Sequence, residues 1–267
     1  MNLFNRHLLQ MRRARHAKSF AKVEFLKTEI ADRLADRLLD IDRTFPLALD
    51  LHAPTSQLKP AIASGKVGRL VQGGIDTQSD DELLPFADHS LDAILSNFHL
   101  HWVNDLTGTL IQARRALKPD GLFLAALPGP RTLQELREAM MRVAETTGKA
   151  APRIAPFVEV RDAGGLLQRA GYALPVVDSE FIHLTYRDFS TFLREIQMMG
   201  ESNILREQFK GLTTANYWQE VEAAYEKQDG LFPVTVEVVF MTAWTPHESQ
   251  QKPLARGSGK VSLKQVL

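Results

Sequence analysis

The sequence predicts an α/β fold built on a mostly parallel sheet with one late antiparallel strand, and three observations predict it. Helical and strand patterns alternate from residue 46 to residue 145, which is the signature of βαβ units. The early strand candidates are continuous apolar runs, as expected of strands covered on both faces. Two longer β-like stretches, "YALPVVDSEFIHLTY" and "FPVTVEVVFMTAW", come late and without short crossovers, so they are expected to pair antiparallel at a sheet edge.

The elements follow in order. In "KVEFLKTEIADRLADRLLD", Val23, Leu26, Ile30, Leu34 and Leu38 recur three or four apart with charges between them, an amphipathic helix. "LALDL" is a strand-length apolar run broken only by Asp50. Pro54 and Pro60 then limit the next helix: a proline inside a helix removes a hydrogen bond and clashes with an earlier carbonyl, so this helix is short, kinked or begins at Pro60. "GRLVQGG" and "SLDAILSNF" give two more strands. "DLTGTLIQARRALKPDG" has helical spacing that Pro119 and Gly121 stop, and "GLFLAAL" is again a buried strand. Helical segments near 188 to 227 separate the two late strands. The reading is one domain with decorations: an N-terminal helical arm over 1–45, a core over 46–186, and a helical insertion, last strands and basic tail over 187–267.

Composition narrows the function. With 267 residues, 44% of them hydrophobic, the chain is long enough for one large core. Lysine plus arginine equals aspartate plus glutamate at 32 each, so no overall field draws it to nucleic acid or an anionic membrane. The absence of cysteine excludes disulfides, thiolate nucleophiles and thiolate metal sites together. No apolar run approaches the roughly 20 residues that span a bilayer, and the expectation is a cytoplasmic protein. The first 23 residues nevertheless carry Arg6, Arg12, Arg13, Arg15, Lys18 and Lys22 without an acid. That basic stretch reads as a transit peptide, a surface-binding arm or a solvated helix face.

In open α/β sheets ligands lie beyond the carboxyl ends of the strands, which directs attention to the loop after the first strand. A glycine-rich loop there lets backbone amides approach a ligand closely. Here the loop is His52, Ala53, Pro54, Thr55, Ser56 and Gln57, with no glycine and one residue lacking an amide proton.

"FPLALDLHA", "LPFADHSLDAILSNFHLHWVNDL", "RRALKPDGLFLAALPG", "TLQELR", "DAGGLLQRAGYALPVVDSE", "MGESN" and "AWTPHESQQKP" together resemble the class I S-adenosylmethionine-dependent methyltransferases. The resemblance runs from Asn5 to Lys260. It is strongest to the branch associated with assembly of mitochondrial complex I, where arginine hydroxylation rather than methylation is the reported chemistry, and weaker to the malonyl-carrier-protein methyltransferases of biotin synthesis. It implies a Rossmann-like sheet of seven strands, S-adenosylmethionine as cofactor, and a protein or small-molecule acceptor. On the cofactor side it implies Asp50 and His52 at the first strand, Gly74 at the end of the second, Asp80 and Asp81 facing adenine, and Asn97 and Phe98 on the methionine side.

The sequence departs from the family at three points. The glycine loop is replaced, and Gly73 and Gly74 stand where relatives carry the acid that grips ribose. One crossover is also shortened near 74–82. The missing acid removes two charge-assisted hydrogen bonds, at roughly 1.5 to 3 kcal/mol each. Two readings follow, an enzyme with a degenerate cofactor loop and a methyltransferase-fold scaffold that binds a partner protein. A cleft lined by Asp50, Asp80 and Asn97 favours the first, a filled apolar plug from His52 to Asp81 the second.

On the acceptor side His101 is the candidate general base, and Trp102, Tyr172, Tyr186 and Glu201 the candidate lining. "MMGESN" and "PHESQ" either flank the acceptor or cap loops. His99, His101 and Asp105 imitate a two-histidine, one-carboxylate iron set, but His99 falls outside the family motif and Asp105 suits a helix cap, so no metal is expected.

Overall fold

The apolar stripe of the first long helix finds its partner in the sheet. The computed structural model describes residues 2–51, 57–73, 82–148, 153–208 and 213–251. After helix α1 (Arg6–His16) and a short 3-10 turn, helix α2 (Phe25–Leu39) buries Leu26, Ile30, Leu34 and Leu38 in a cluster with Phe45, Ala48 and Phe240. These belong to strands β1 (Phe45–Asp50) and β6 (Phe232–Trp244). Helix α3 (Lys59–Ala63) carries Pro60 in its first turn and is five residues long, as the two prolines required.

Among the described residues the sheet has six strands in the order β2-β1-β3-β4-β6-β5. Strands β2 (Val67–Gln72), β1, β3 (Leu91–Asn97) and β4 (Leu117–Pro128) are mutually parallel. Strand β6 runs antiparallel to both β4 and β5 (Ala173–Tyr186), so the reversed strand is inserted one place in from the edge and β5 forms the edge. The segment of the shortened crossover, 74–81, lies outside the described residues. At Gly68 a Cβ would meet the Pro46 carbonyl oxygen at 2.9 Å, which explains a glycine where β1 and β2 approach each other.

Strand β4 starts at Leu117, four residues before the sequence pattern places it. Leu117 pairs with Leu91 ahead of a register shift, and Asp120 takes φ 60° to carry the chain through the turn into Leu122. Helices α4 (Leu106–Ala116) and α6 (Val160–Arg169) cover the second face through Leu110, Ala113, Ala163 and Leu167. Helices α5 (Gln134–Thr147), α7 (Phe189–Met198) and α8 (Ala215–Ala224) join α2 on the first face. This three-layer arrangement leaves Asp50, Gln72, Asn97 and Pro128 along one carboxyl edge. No helix among the described residues is long and apolar enough to cross a membrane.

Candidate active site

One carboxylate organises the carboxyl edge. Two residues after helix α7, Gly200 takes a φ of +77° that turns the chain, and its missing side chain leaves room for Arg13; a Cβ there would lie 2.8 Å from Arg13 Cγ. The turn delivers Glu201 to a ring of donors. His101 Nε2 lies 2.9 Å and Trp102 Nε1 2.8 Å from Oε2, while Lys27 Nζ sits 2.9 Å from Oε1. Arg13 Nη2 stands at 3.9 Å. Lys27 is 3% exposed and Glu201 14%, so water screens the pair little.

Burial pushes the Glu201 carboxyl upward, but Lys27, His101 and Arg13 together outweigh it and hold the group well below the usual carboxylate range. Burial lowers His101, and Glu201 opposes that only in part. The carboxylate is therefore an acceptor only, so neutral His101 must donate from Nε2. Its Nδ1 is then an unprotonated lone pair, buried and without a hydrogen-bond partner. This is a base already oriented by an acid, the logic of a histidine–carboxylate pair.

The other expected residues divide. Asp50 ends β1 and is buried; loss of solvent raises its carboxyl to about 8, with Lys27 pulling the other way. Asn97 donates from Nδ2 to the Lys27 carbonyl at 2.8 Å, leaving a buried Oδ1 without a hydrogen-bond partner. Phe98 adopts φ 52° and turns its carbonyl toward Lys27 Nζ at 3.4 Å. These three share the edge with Glu201, His101 and Trp102. His52, Gly74, Asp80 and Asp81 lie outside the described residues, and with them most of the segment expected to separate cleft from plug.

Neither expected tyrosine joins the ring around Glu201. Tyr172 precedes β5 at the opposite, amino end and packs on Phe123, ring centroids 5.3 Å apart. It is a core residue of the second face. Tyr186 commits its hydroxyl to Glu195 at 2.8 Å and packs its ring at a tilt against Phe192. The two polar motifs separate as well: "MMGESN" carries Glu201, whereas in "PHESQ" Gln250 bonds Asp120 and the Thr245 carbonyl at the amino edge. Asp105 caps α4 by accepting the Gly108 amide proton at 2.8 Å, and His99 Nδ1 pairs with Arg13 Nη1 at 3.0 Å. Among the described residues no cluster of three metal-type ligands occurs.

The basic N-terminal stretch is a wall of the site. The Phe4 ring stands edge-on to Trp102 at 5.4 Å, and the Phe4 amide donates to Asn104. The Asn5 amide donates to the Ile204 carbonyl, and Arg12 reaches the Asn203 carbonyl. Between this arm, the start of α5, the segment 153–157, α7 and α8 lies a cleft of about 420 Å³, with Trp102 and Glu201 in its lining.

Sequence reasoning missed Lys27 and passed over Arg13 as one charge of a basic run. A signal for Lys27 exists: it precedes Ala31, Leu34 and Leu38 by four, seven and eleven residues, so it lies on the buried face of α2. A cation on that face requires a buried anion, and Glu201 is that anion.

This edge chemistry on a sheet with a reversed penultimate strand defines a methyltransferase-type α/β protein, and comparison with known proteins agrees. The methyltransferase domain model matches residues 50–125. "Arginine-hydroxylase NDUFAF5, mitochondrial" of Danio rerio is 35% identical over 98% of this chain and 88% of that protein; its Homo sapiens counterpart is 36% identical over 98% and 82%. A malonyl-[acyl-carrier protein] O-methyltransferase of Laribacter hongkongensis is 31% identical over 91% of this chain and 90% of that protein. Among solved structures, a Bacillus halodurans protein assigned to the methyltransferases superposes with a TM-score of 0.51 at 16% identity, covering 80% of this chain and 99% of that one. The chain belongs to the class I methyltransferase family, in the group that contains these arginine-hydroxylase and O-methyltransferase relatives. The first of these carry "mitochondrial" in their names, whereas the sequence on its own reads as cytoplasmic.

Proposed function

We propose that this protein is an S-adenosylmethionine-dependent enzyme that removes a proton from an N–H or O–H acceptor held in the cleft, and that it acts in the assembly of respiratory complex I. One observation carries the catalytic reading: ionised Glu201 fixes neutral His101 with its Nδ1 lone pair unengaged, beside two cleft residues, Trp102 and Phe157. In the reaction His101 Nδ1 accepts the acceptor's proton, and Glu201 stabilises the imidazolium without taking the proton itself. Lys27 and Trp102 keep the carboxylate in place while this happens.

The residues at the edge fit the cofactor. The unpartnered Asn97 Oδ1 and Ser96 Oγ and the buried Asp50 leave polar groups that a ligand would satisfy. Asp50, Asn97 and Phe98 would hold its methionine side, and His52, Gly74, Asp80 and Asp81 stand as the proposed contacts to adenosine. When bound, S-adenosylmethionine supplies a methyl group activated on a positive sulfur.

The scaffold reading has one observation of its own. Lys27 is a buried cation at the edge where that sulfur would bring a second positive charge. Thermal-shift titration with S-adenosylmethionine and S-adenosylhomocysteine separates the two. Ligand at 100 times its dissociation constant stabilises the native state by about 2.7 kcal/mol. A shift that Asn97→Ala abolishes, together with a loss of turnover of roughly 10² to 10⁴ in His101→Ala, supports the enzyme. Absence of any shift at millimolar ligand leaves the scaffold.

A further inference from the structure

The N-terminal arm sends one charged side chain among the buried groups around Glu201. Phe4 and Leu205 form an antiparallel bridge, the Asn5 amide donates to the Ile204 carbonyl at 2.8 Å, and the Arg206 amide donates to the Leu3 carbonyl at 2.9 Å. The arm is thus tied to the same turn that carries Glu201. Farther along α1, the stem of Arg13 fills the space left by the absent side chain of Gly200, and Arg13 is 13% exposed.

The guanidinium reaches two groups. Arg13 Nη1 lies 3.0 Å from His99 Nδ1, and Nη2 lies 3.9 Å from Glu201 Oε1. A guanidinium only donates, so His99 Nδ1 is the acceptor and the His99 proton sits on Nε2. Burial, Arg13 and Lys27 hold His99 well below its ordinary value, so this ring is neutral.

His101 follows two residues later in the short turn Leu100–Trp102. Burial works against its protonation, Glu201 favours it, and Lys27 from α2 and Arg13 from α1 oppose it. Neutral His99 adds no charge. Lys27 Nζ, 2.9 Å from Glu201 Oε1, offsets the carboxylate one for one. Asp50, raised to about 8 by burial, is largely uncharged at neutral pH. Arg13 is therefore the positive charge in excess at this edge. Without it, ionised Glu201 would draw a proton onto His101 at higher pH, and the lone pair on Nδ1 would belong to a ring that is no longer a base.

We propose that Arg13 is a positioning residue of the active site: from the N-terminal arm it fixes the tautomer of His99, steadies Glu201, and by its charge keeps His101 free of the proton that would disable it as a base. The inference rests on His101 being the base and names the group that keeps it available.

Histidine-selective isotope labelling of the full chain, read by long-range nitrogen–proton spectra across neutral and acid pH, reports the tautomer and charge of each ring. Loss of one signal in His99→Gln and of another in His101→Gln assigns the two. Arg13→Met keeps a stem against Gly200 and removes charge and donors, Arg13→Gln retains a donor, and Arg13→Lys retains the charge. His101 is expected to take up its proton at higher pH in the Met and Gln variants than in the parent, and to stay with the parent in the Lys variant. His99 is expected as the Nε2–H tautomer alone in the parent and as a mixture in Arg13→Met. Lys18→Met, which removes an exposed cation of the same arm, leaves both rings as in the parent. Unaltered far-UV circular dichroism shows that each variant is folded. The proposal is overturned if His101 titrates with the parent in both Arg13→Met and Arg13→Gln, if Arg13→Lys or Lys18→Met moves it as far as Arg13→Met does, or if the parent carries the His99 proton on Nδ1. The parent spectrum keeps the underlying reading apart: a neutral His101 with its proton on Nδ1 refutes His101 as the base, while the shifts in the variants still decide the role of Arg13.

Discussion

Replacing Glu201 with glutamine tests whether the buried charges at the carboxyl edge form one unit. The substitution keeps the shape and one acceptor oxygen but removes the anion that faces Lys27 Nζ at 2.9 Å and His101 Nε2 at 2.9 Å. Lys27, 3% exposed, then becomes a buried cation without its partner. Breaking a buried pair in this way costs about 3 to 5 kcal/mol. Taking the lower figure because the glutamine carbonyl still accepts one bond, and an unfolding entropy near 2.1 cal/mol/K per residue, the expected loss in Tm is about 5 °C. The deficit depends on pH. Burial already holds Lys27 below its ordinary value, and removal of Glu201 takes away the interaction that opposed that lowering. The unfolded chain then binds this proton more tightly than the folded one, so stability rises with pH between the folded and the unfolded values. Differential scanning fluorimetry of Glu201→Gln against the parent from pH 6 to pH 10 should show a gap that narrows toward pH 10. A variant that melts with the parent at every pH would refute the reasoning, for it would mean that Lys27 finds solvent or another anion.

Two further outcomes are expected. Asp50 has a folded value raised to about 8 against an ordinary value near 4, so its contribution is intact below pH 4 and is lost as pH rises toward 8; Asp50→Asn should raise Tm more at pH 8 than at pH 5, and an equal effect at both argues against burial of the charge. The buried Tyr172 hydroxyl makes no hydrogen bond, so Tyr172→Phe should be neutral or stabilising by up to about 1 kcal/mol in urea titration and should leave turnover intact, while a clear loss of either would return Tyr172 to the site.

Patterns within one element were legible in the sequence. The α2 stripe, the short helix at Pro60 and the reversed strand β6 all follow from spacing, proline chemistry and the absence of crossovers. The site was legible only where a motif supplied it. His101, Trp102 and Glu201 came from the resemblance, and the structure shows why they sit together: Gly200 turns Glu201 back across 99 or 100 residues of chain. Lys27 stayed hidden because a lysine in a charged helix looks solvated until its partner, 174 positions away, is known. Tyr172 misled for the converse reason, since a polar side chain near a motif carries no mark of which end of the sheet it occupies.

The cleft's makeup bears on how such proteins diversify. Of the described residues that line it, Trp102 alone falls within the stretch 50–125 matched by the methyltransferase domain model; the remainder come from the N-terminal arm and from segments after residue 130. The matched domain and the lining of the cleft thus fall on largely separate stretches of chain. Exchange of the first sixteen residues between relatives would change one wall of the cleft and, through Arg13, the contacts made to Glu201 and His99 at the sheet edge.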